Sequence, residues 1–273
     1  MKLKALLFIT LSVLAIQSCK DEEPPVEPPK QEVNTIQSIN YSVKKSFVHD
    51  TSLYTEGLQY YNGALYESTG SPDYLPWAKS MIGISNLETG IFEKKIELDR
   101  TKYFGEGITF LNNKLYQLTY TTHLGFIYDA KSFKKLGTFT FGNAEGWGMT
   151  TDGQYLIMSD GSNILTYLQP DSVTPVKTLQ VNKNGMAVDQ LNELEYIKGF
   201  IYANVFMTDQ IVKIDPATGN VMGVLDLSSL TYEAKAKYRN AEVLNGIAYD
   251  ETSNMLYITG KQWPTIYQIE LMN

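Results

Sequence analysis

The segment Phe104-Gly-Glu-Gly-Ile108 sets one carboxylate, Glu106, between two glycines. Such a carboxylate is either a turn residue at the head of a strand or a proton-transfer group that a substrate can reach, since glycine lets backbone and ligand come close. The tripeptide alone favours the turn. Other polar side chains stand at related places. Glu56 lies in Thr55-Glu-Gly-Leu58, and Asn192 and Glu193 lie in Leu191-Asn-Glu-Leu-Glu-Tyr196. Asn245 lies in Leu244-Asn-Gly-Ile-Ala248, and Lys261 in Thr259-Gly-Lys-Gln-Trp-Pro264. Carboxylates and amides of this kind can move protons, accept hydrogen bonds, or hold a hard cation by its preference for oxygen. Tyr54, Phe104, Tyr120, Trp147 and Phe206 fall in or near the same stretches. Aromatic residues fill cores by default. Trp147, between Gly146 and Gly148, is the best candidate of the set for a pocket wall.

Several chemistries are excluded by composition. The one cysteine, Cys19, belongs to an apolar leader, so the folded part has neither a disulfide nor a thiol nucleophile. Two histidines, His49 and His123, are too few for a zinc site of the usual nitrogen and sulfur type. No HExxH, Walker A, GxGxxG or GxSxG motif is present. The net charge is −7, and loss of Lys2 and Lys4 with the leader leaves about −9. With no basic stripe, a nucleic-acid partner is not expected.

The elements that must position these residues show themselves as a repeat. Gly107-Ile-Thr-Phe-Leu-Asn-Asn-Lys-Leu-Tyr116 recurs in looser form, with eight residues from Gly57 to Leu65, Gly107 to Leu115, Gly148 to Leu156 and Glu193 to Ile201. A fifth copy starts at Asn245 and reaches Leu256-Tyr257 after two extra residues. The anchors 57, 107, 148, 193 and 246 are 50, 41, 45 and 53 residues apart. Units of this period are small sheets that cannot bury both faces alone, so the expected fold is all-β, a five-bladed β-propeller. Tyrosine is abundant (19 residues) and charged residues are only 19%, which suits strands better than charged helices. Turn chemistry recurs between outer strands, as in Asn86-Leu-Glu-Thr-Gly90 and Asp215-Pro-Ala-Thr-Gly219. Residues 39–47 alternate as a strand but precede the first unit, while the last unit stops one strand short. That N-terminal strand is therefore expected to complete the last blade and remove an open edge. Residues 228–241 break the rhythm and favour a short helix.

Residues 1–18 read as a signal peptide: Lys2 and Lys4, then an apolar run too short to span a bilayer. Ile16-Gln-Ser-Cys19 resembles a bacterial lipobox, whose cysteine is lipidated after cleavage; an ordinary signal with a nearby cysteine is the alternative. Residues 19–37 form the lipidated cysteine and a flexible acidic, proline-rich tether, with residues 38–273 as the domain. These features imply an extracytoplasmic protein anchored through Cys19 to a bacterial outer membrane, on its periplasmic or cell-surface side. Lys20-Asp-Glu-Glu23 resembles an acidic surface-export signal. The chain reads as a monomer.

Taken together, the motifs resemble the glutaminyl-peptide cyclotransferases of the plant and bacterial type. The resemblance covers nearly all of residues 47–271. It rests on the stretches quoted above together with Tyr66-Glu-Ser-Thr-Gly70, Gly125-Phe-Ile-Tyr-Asp129, Gly146-Trp-Gly148 and Ser159-Asp-Gly161, in order and spacing. It implies a five-bladed propeller that converts an N-terminal glutamine to 5-oxoproline with loss of ammonia, without cofactor or metal. By motif position it makes Glu106 the proton-transfer residue. It makes Glu56, Asn192, Glu193 and Lys261 substrate-binding, with Tyr54, Phe104, Tyr120, Trp147 and Phe206 as pocket walls. The partner is then the N-terminal glutamine of a peptide or protein. This chain departs from the family at Tyr120 and Phe206, where relatives commonly show Trp, and across residues 71–80, a remodelled loop beside the expected mouth; Glu56 matches a place where some members carry Gln.

Two other functions compete. A binding propeller could keep the scaffold without turnover. A lactonase-type propeller hydrolase would need a central cation, for which Glu56, Glu106, Glu193 and Asn245 are the candidate ligands.

Overall fold

A computed structural model describes residues 36–272. The leader, Cys19 and most of the tether lie outside the described residues. Five antiparallel sheets are arranged in sequence order as the blades of a ring. Their inner strands are Thr55–Tyr61, Gly105–Leu111, Met149–Thr151, Leu191–Ile197 and Leu244–Asp250. Each inner strand touches the next, and the fifth touches the first, so the ring closes.

Closure is completed by the chain's own start. Asn40–Val48 runs antiparallel to Thr265–Met272, from Asn40 opposite Met272 to Val48 opposite Thr265. The expected N-terminal strand is therefore the outer strand of the fifth blade. One feature was not expected. Gln37–Ser38 adds a parallel strand to the outer edge of the fourth blade, Gln37 opposite Gly223. Residues 36 and 37, read as the end of the tether, thus belong to the domain. Ile39 packs where a side chain at Gly223 would otherwise sit.

The turns form as their residue types dictate. Asn86 Oδ1 accepts hydrogen bonds from the Glu88 and Thr89 amides, and Asp129 Oδ1 from those of Lys131 and Ser132. Gly90 and Gly219 close their turns at φ +70° and +75°, the left-handed region that glycine enters without strain.

The core is not one mass but a slab between each pair of neighbouring blades. Ile108 and Phe110 meet Tyr66 and Ile82 across the first junction; Leu58 and Leu65 meet Ala248 and Tyr257 across the last. Between the fourth and fifth blades the slab also takes Leu230 and Ala234 from the helix Ser228–Lys237. Polar bonds repeat at the same register. Gln59, Thr150 and Glu195 each stand two residues past their anchor. Each accepts from an amide of the next inner strand, those of Phe110, Tyr196 and Tyr249 in turn. A side chain on one blade thereby fixes the height of the next.

Candidate active site

The inner strands begin irregularly, and that irregularity builds the site. Pairing with the second strand of the blade skips Glu56 in the first blade and Glu106-Gly107 in the second. It skips Asn192-Glu193 in the fourth and Asn245-Gly246 in the fifth. Residues that leave the ladder are freed from strict alternation, and a bulge re-aims their side chains. Here the irregular pairing brings Glu56, Glu106 and Asn192 to one cavity, with Asn245 beside Glu56. The glycines beside them have a packing reason. A Cβ on Gly107 would lie 2.5 Å from the Met149 nitrogen, and one on Gly57 2.9 Å from the Ile108 nitrogen. The close approach is therefore that of the next blade.

Glu56, Glu106, Asn192 and Lys261 line a cavity of about 200 Å³. Tyr54, Phe104, Tyr120, Trp147 and Phe206 wall it. Tyr54 and Phe104 meet edge to face, as do Trp147 and Phe206, with ring centres 6.3 and 5.4 Å apart. Pro72, from the loop that departs from the family pattern, completes the wall.

Lys261 Nζ donates to both oxygens of Glu56, at 2.7 and 2.6 Å. Lys261 is 5% exposed and Glu56 2%. The ammonium also sits over the Tyr54 ring (4.6 Å) and near that of Phe206 (5.4 Å), which offsets part of its lost hydration. Asn245 Nδ2 donates to the Thr55 carbonyl at 3.0 Å and lies 3.4 Å from Glu56 Oε2. Glu56 and Glu106 stand in this one cavity, and each carboxyl acts on the other's titration. Burial raises both carboxyls above the ordinary range. Glu106 is raised further, because the charge of Glu56 adds to burial, whereas the Lys261 charge and its two hydrogen bonds oppose the rise at Glu56. Of the two, Glu106 binds a proton more readily. Asn192 Oδ1 is buried and has no partner among the described residues, which leaves an acceptor for a ligand.

The structure does not bring Glu193 to the cavity. Its oxygens accept from the amides of Leu58 (3.1 Å) and Ile247 (2.7 Å), tying the fourth blade to the first and fifth. The four candidate cation ligands therefore do not converge. Glu193 faces amides and Glu56 faces an ammonium; among the described residues no three His, Cys, Asp or Glu side chains are grouped to hold a metal. Trp263 is buried, with Nε1 donating to the Glu242 carbonyl, and is a packing residue.

Three contributors escaped sequence reasoning. Glu145 accepts from Trp147 Nε1 at 2.7 Å, orienting that wall, and its charge helps to raise Glu106 and the Tyr120 hydroxyl. It stands in a loop with no periodic signal, and only its place beside Gly146-Trp147 could have flagged it. Tyr74 braces Tyr54 from the rim, their rings edge to face and hydroxyls 2.9 Å apart. Behind the site, Glu67 bonds His49 (3.0 Å), Ser85 (2.5 Å) and Thr55 (2.7 Å). Burial opposes the charge on Glu67, but His49 and these hydroxyls outweigh it and hold the carboxyl below its usual range. This network anchors Thr55, the neighbour of Glu56.

Comparison with known proteins agrees with the site. The sequence profile of the glutamine cyclotransferase family matches residues 11–271. A glutaminyl-peptide cyclotransferase of Arabidopsis thaliana is 40% identical over 231 residues, 84% of this chain and 70% of that protein. The crystal structure of Myxococcus xanthus glutaminyl cyclase aligns with a TM-score of 0.80 at 33% identity, covering 86% of this chain and 98% of that one. With the ring, the aromatic cavity and the buried Glu106 all in place, these matches show that the chain belongs to the glutamine cyclotransferase family.

Proposed function

We propose that this chain is a glutaminyl-peptide cyclotransferase, converting the N-terminal glutamine of peptides or proteins to 5-oxoproline with release of ammonia. The observation that carries the reading is the buried Glu106, set in an aromatic cavity beside the Glu56–Lys261 pair, where burial and the Glu56 charge favour its protonated form. A free α-amine has a pKa of about 7.7–8.0, so a useful fraction is neutral near pH 7. Its nitrogen attacks the side-chain amide carbon. The attacking nitrogen must lose a proton and the departing nitrogen must gain one. Both are bonded to the same carbon in the tetrahedral intermediate, so one carboxyl can serve both. Glu106 gives its proton to the departing nitrogen, ammonia leaves as the C–N bond breaks, and Glu106 takes the proton of the attacking nitrogen. It ends as it began.

The other residues hold the substrate. Asn192 Oδ1 and the Glu56 carboxylate are acceptors for the N–H groups of the amine and the amide. Lys261 uses two of its three donors on Glu56. The third faces the amide oxygen, on which negative charge develops. The aromatic walls pack the glutamine stem and exclude water.

The anchor is part of the same reading. Cys19 after an apolar leader supports lipidation, and the proline-rich tether supports a domain held just outside a bacterial outer membrane.

The test uses the full chain, a Gln-initiated peptide and its N-acetylated counterpart, with chelator present. One ammonia per molecule, a matching loss in product mass and no reaction of the acetylated peptide are expected. A folded protein that releases no ammonia from several such peptides would contradict the reading.

A further inference from the structure

The catalytic cavity has room for one residue, yet its substrate is a chain. At about 200 Å³ it is smaller than the 300–1,000 Å³ typical of sites for drug-sized ligands. Once the glutamine stem and amine are inside, the α-carbonyl and everything after it must leave through the mouth.

A groove of about 430 Å³ begins where the cavity ends. The two share Pro72, Phe104 and Tyr120, so they are continuous. The groove runs outward between the loops of the first and second blades, past Tyr74, Tyr103 and Thr121. In a ring of five this direction lies opposite the fourth blade, which carries Phe206.

Tyr74 is the notable wall. It is 61% exposed, yet it is fixed. Its hydroxyl accepts from Tyr54 at 2.9 Å and donates to the Glu242 carboxylate at 3.0 Å. The loop behind it is pinned by Arg100, which donates to the Pro76 and Ala78 carbonyls at 2.6 and 3.0 Å. An exposed aromatic ring that is already immobile loses little conformational freedom on contact, which favours its use as a binding surface. The groove's cations are engaged. Arg100 serves the loop, and Lys102 pairs with Asp99 at 3.1 Å. What remains for a ligand is aromatic surface with hydroxyls, together with the Asp73 carboxylate, and the aromatic part matches an apolar side chain on a polar backbone.

We propose that this groove receives the second and third residues of the substrate peptide, with Tyr74 selecting an apolar or aromatic second side chain. The proposal rests on the cyclase reading.

Three substrates test it with the full chain: glutamine amide, which ends at the cavity, and the peptides Gln-Phe-Ala-Ala and Gln-Gly-Ala-Ala. The Phe peptide should exceed the Gly peptide in kcat/KM by roughly fivefold or more, the scale of one partly buried apolar side chain. Tyr74→Ala should bring that ratio to within about twofold of unity. Thr121→Trp should lower kcat/KM for the Phe peptide relative to glutamine amide by roughly fivefold, whereas Met207→Trp, on the fourth-blade rim, should not. A wild-type ratio near one, a ratio unmoved by Tyr74→Ala, or a loss with Met207→Trp in place of Thr121→Trp would overturn the groove while leaving the cyclase intact. A wild-type protein that turns over none of the three overturns the cyclase reading, and the groove with it.

Discussion

Glu106 and Glu56 line the same cavity, and of the two it is Glu56 whose oxygens both meet the Lys261 ammonium. This asymmetry separates two carboxyls of the same type. Burial and the Glu56 charge favour a proton on Glu106, while the Lys261 ammonium favours charge on Glu56. It is the same logic by which neighbouring acids in other sites are pushed to different protonation states.

Replacing Glu56 by Gln removes the charge that adds to burial in raising Glu106. Glu106 acts in its protonated form, so activity is lost as pH rises through its pKa. The substitution lowers that pKa, and the alkaline limb of kcat/KM against pH should move to lower pH. The acid limb, set by neutralisation of the substrate amine, should stay. A profile that does not move would break the link between the two carboxyls.

Lys261→Met keeps a stem against Tyr54 and Phe206 but leaves Glu56 buried without its cation. Removing one partner of a buried pair costs about 3 kcal/mol or more. In the variant Glu56 titrates higher still, so the loss should be least at acid pH, where the carboxyl is neutral, and grow as pH rises. Denaturant melts at pH 5 and pH 8 would show this difference, together with a fall in kcat/KM at both.

Glu193 separates a structural role from a binding one. Glu193→Ala leaves the Leu58 and Ile247 amides unpaired inside the ring, at about 1–3 kcal/mol each. Glu193→Gln keeps an acceptor for one of the two amides but sets its NH2 against the other, so the melt should fall, while KM should stay within about twofold, since the side chain does not reach the cavity. A KM raised tenfold in the Gln variant, with the melt unchanged, would return Glu193 to the substrate.

Burial raises Glu193 well above its ordinary value of 4.5 and pushes Glu195 up to about 8. A carboxyl raised on folding contributes stability that is fully present below its unfolded value and is lost as pH rises through the folded one. Stability should therefore decline between about pH 5 and pH 8, by at most about 1.4 kcal/mol per pH unit for each proton. Glu195→Gln still accepts from the Tyr249 amide and should flatten the slope. An unaltered dependence of Tm on pH would show that Glu195 is already ionised in the folded protein.

The ring was legible in the chain because its blades repeat. The anchor glycines mark where inner strands press together, and the strand at 39–47 had no partner until the last unit lacked one. The cavity residues were legible through family motifs, since Tyr54, Phe104 and Trp147 carry no periodic signal that separates a pocket wall from core. Glu193 misled because it holds an anchor position beside Asn192. The bulge that skips both residues sends one to the cavity and the other to two backbone amides, and a one-dimensional motif does not distinguish these directions. Gln37–Ser38 was missed because two residues are too few to show alternation. Glu145 and Tyr74 act across loops far from their partners' blades, a relation that local pattern does not encode.

The most direct test of the central claim is the turnover of Glu106→Gln on a Gln-initiated peptide, read as ammonia release beside the wild type. Gln fills the same space but cannot pass a proton between the two nitrogens. The account predicts a fall in kcat of about 10²–10⁴-fold with the melt retained. Undiminished turnover would leave the enzyme its activity and remove Glu106 from the proton transfer.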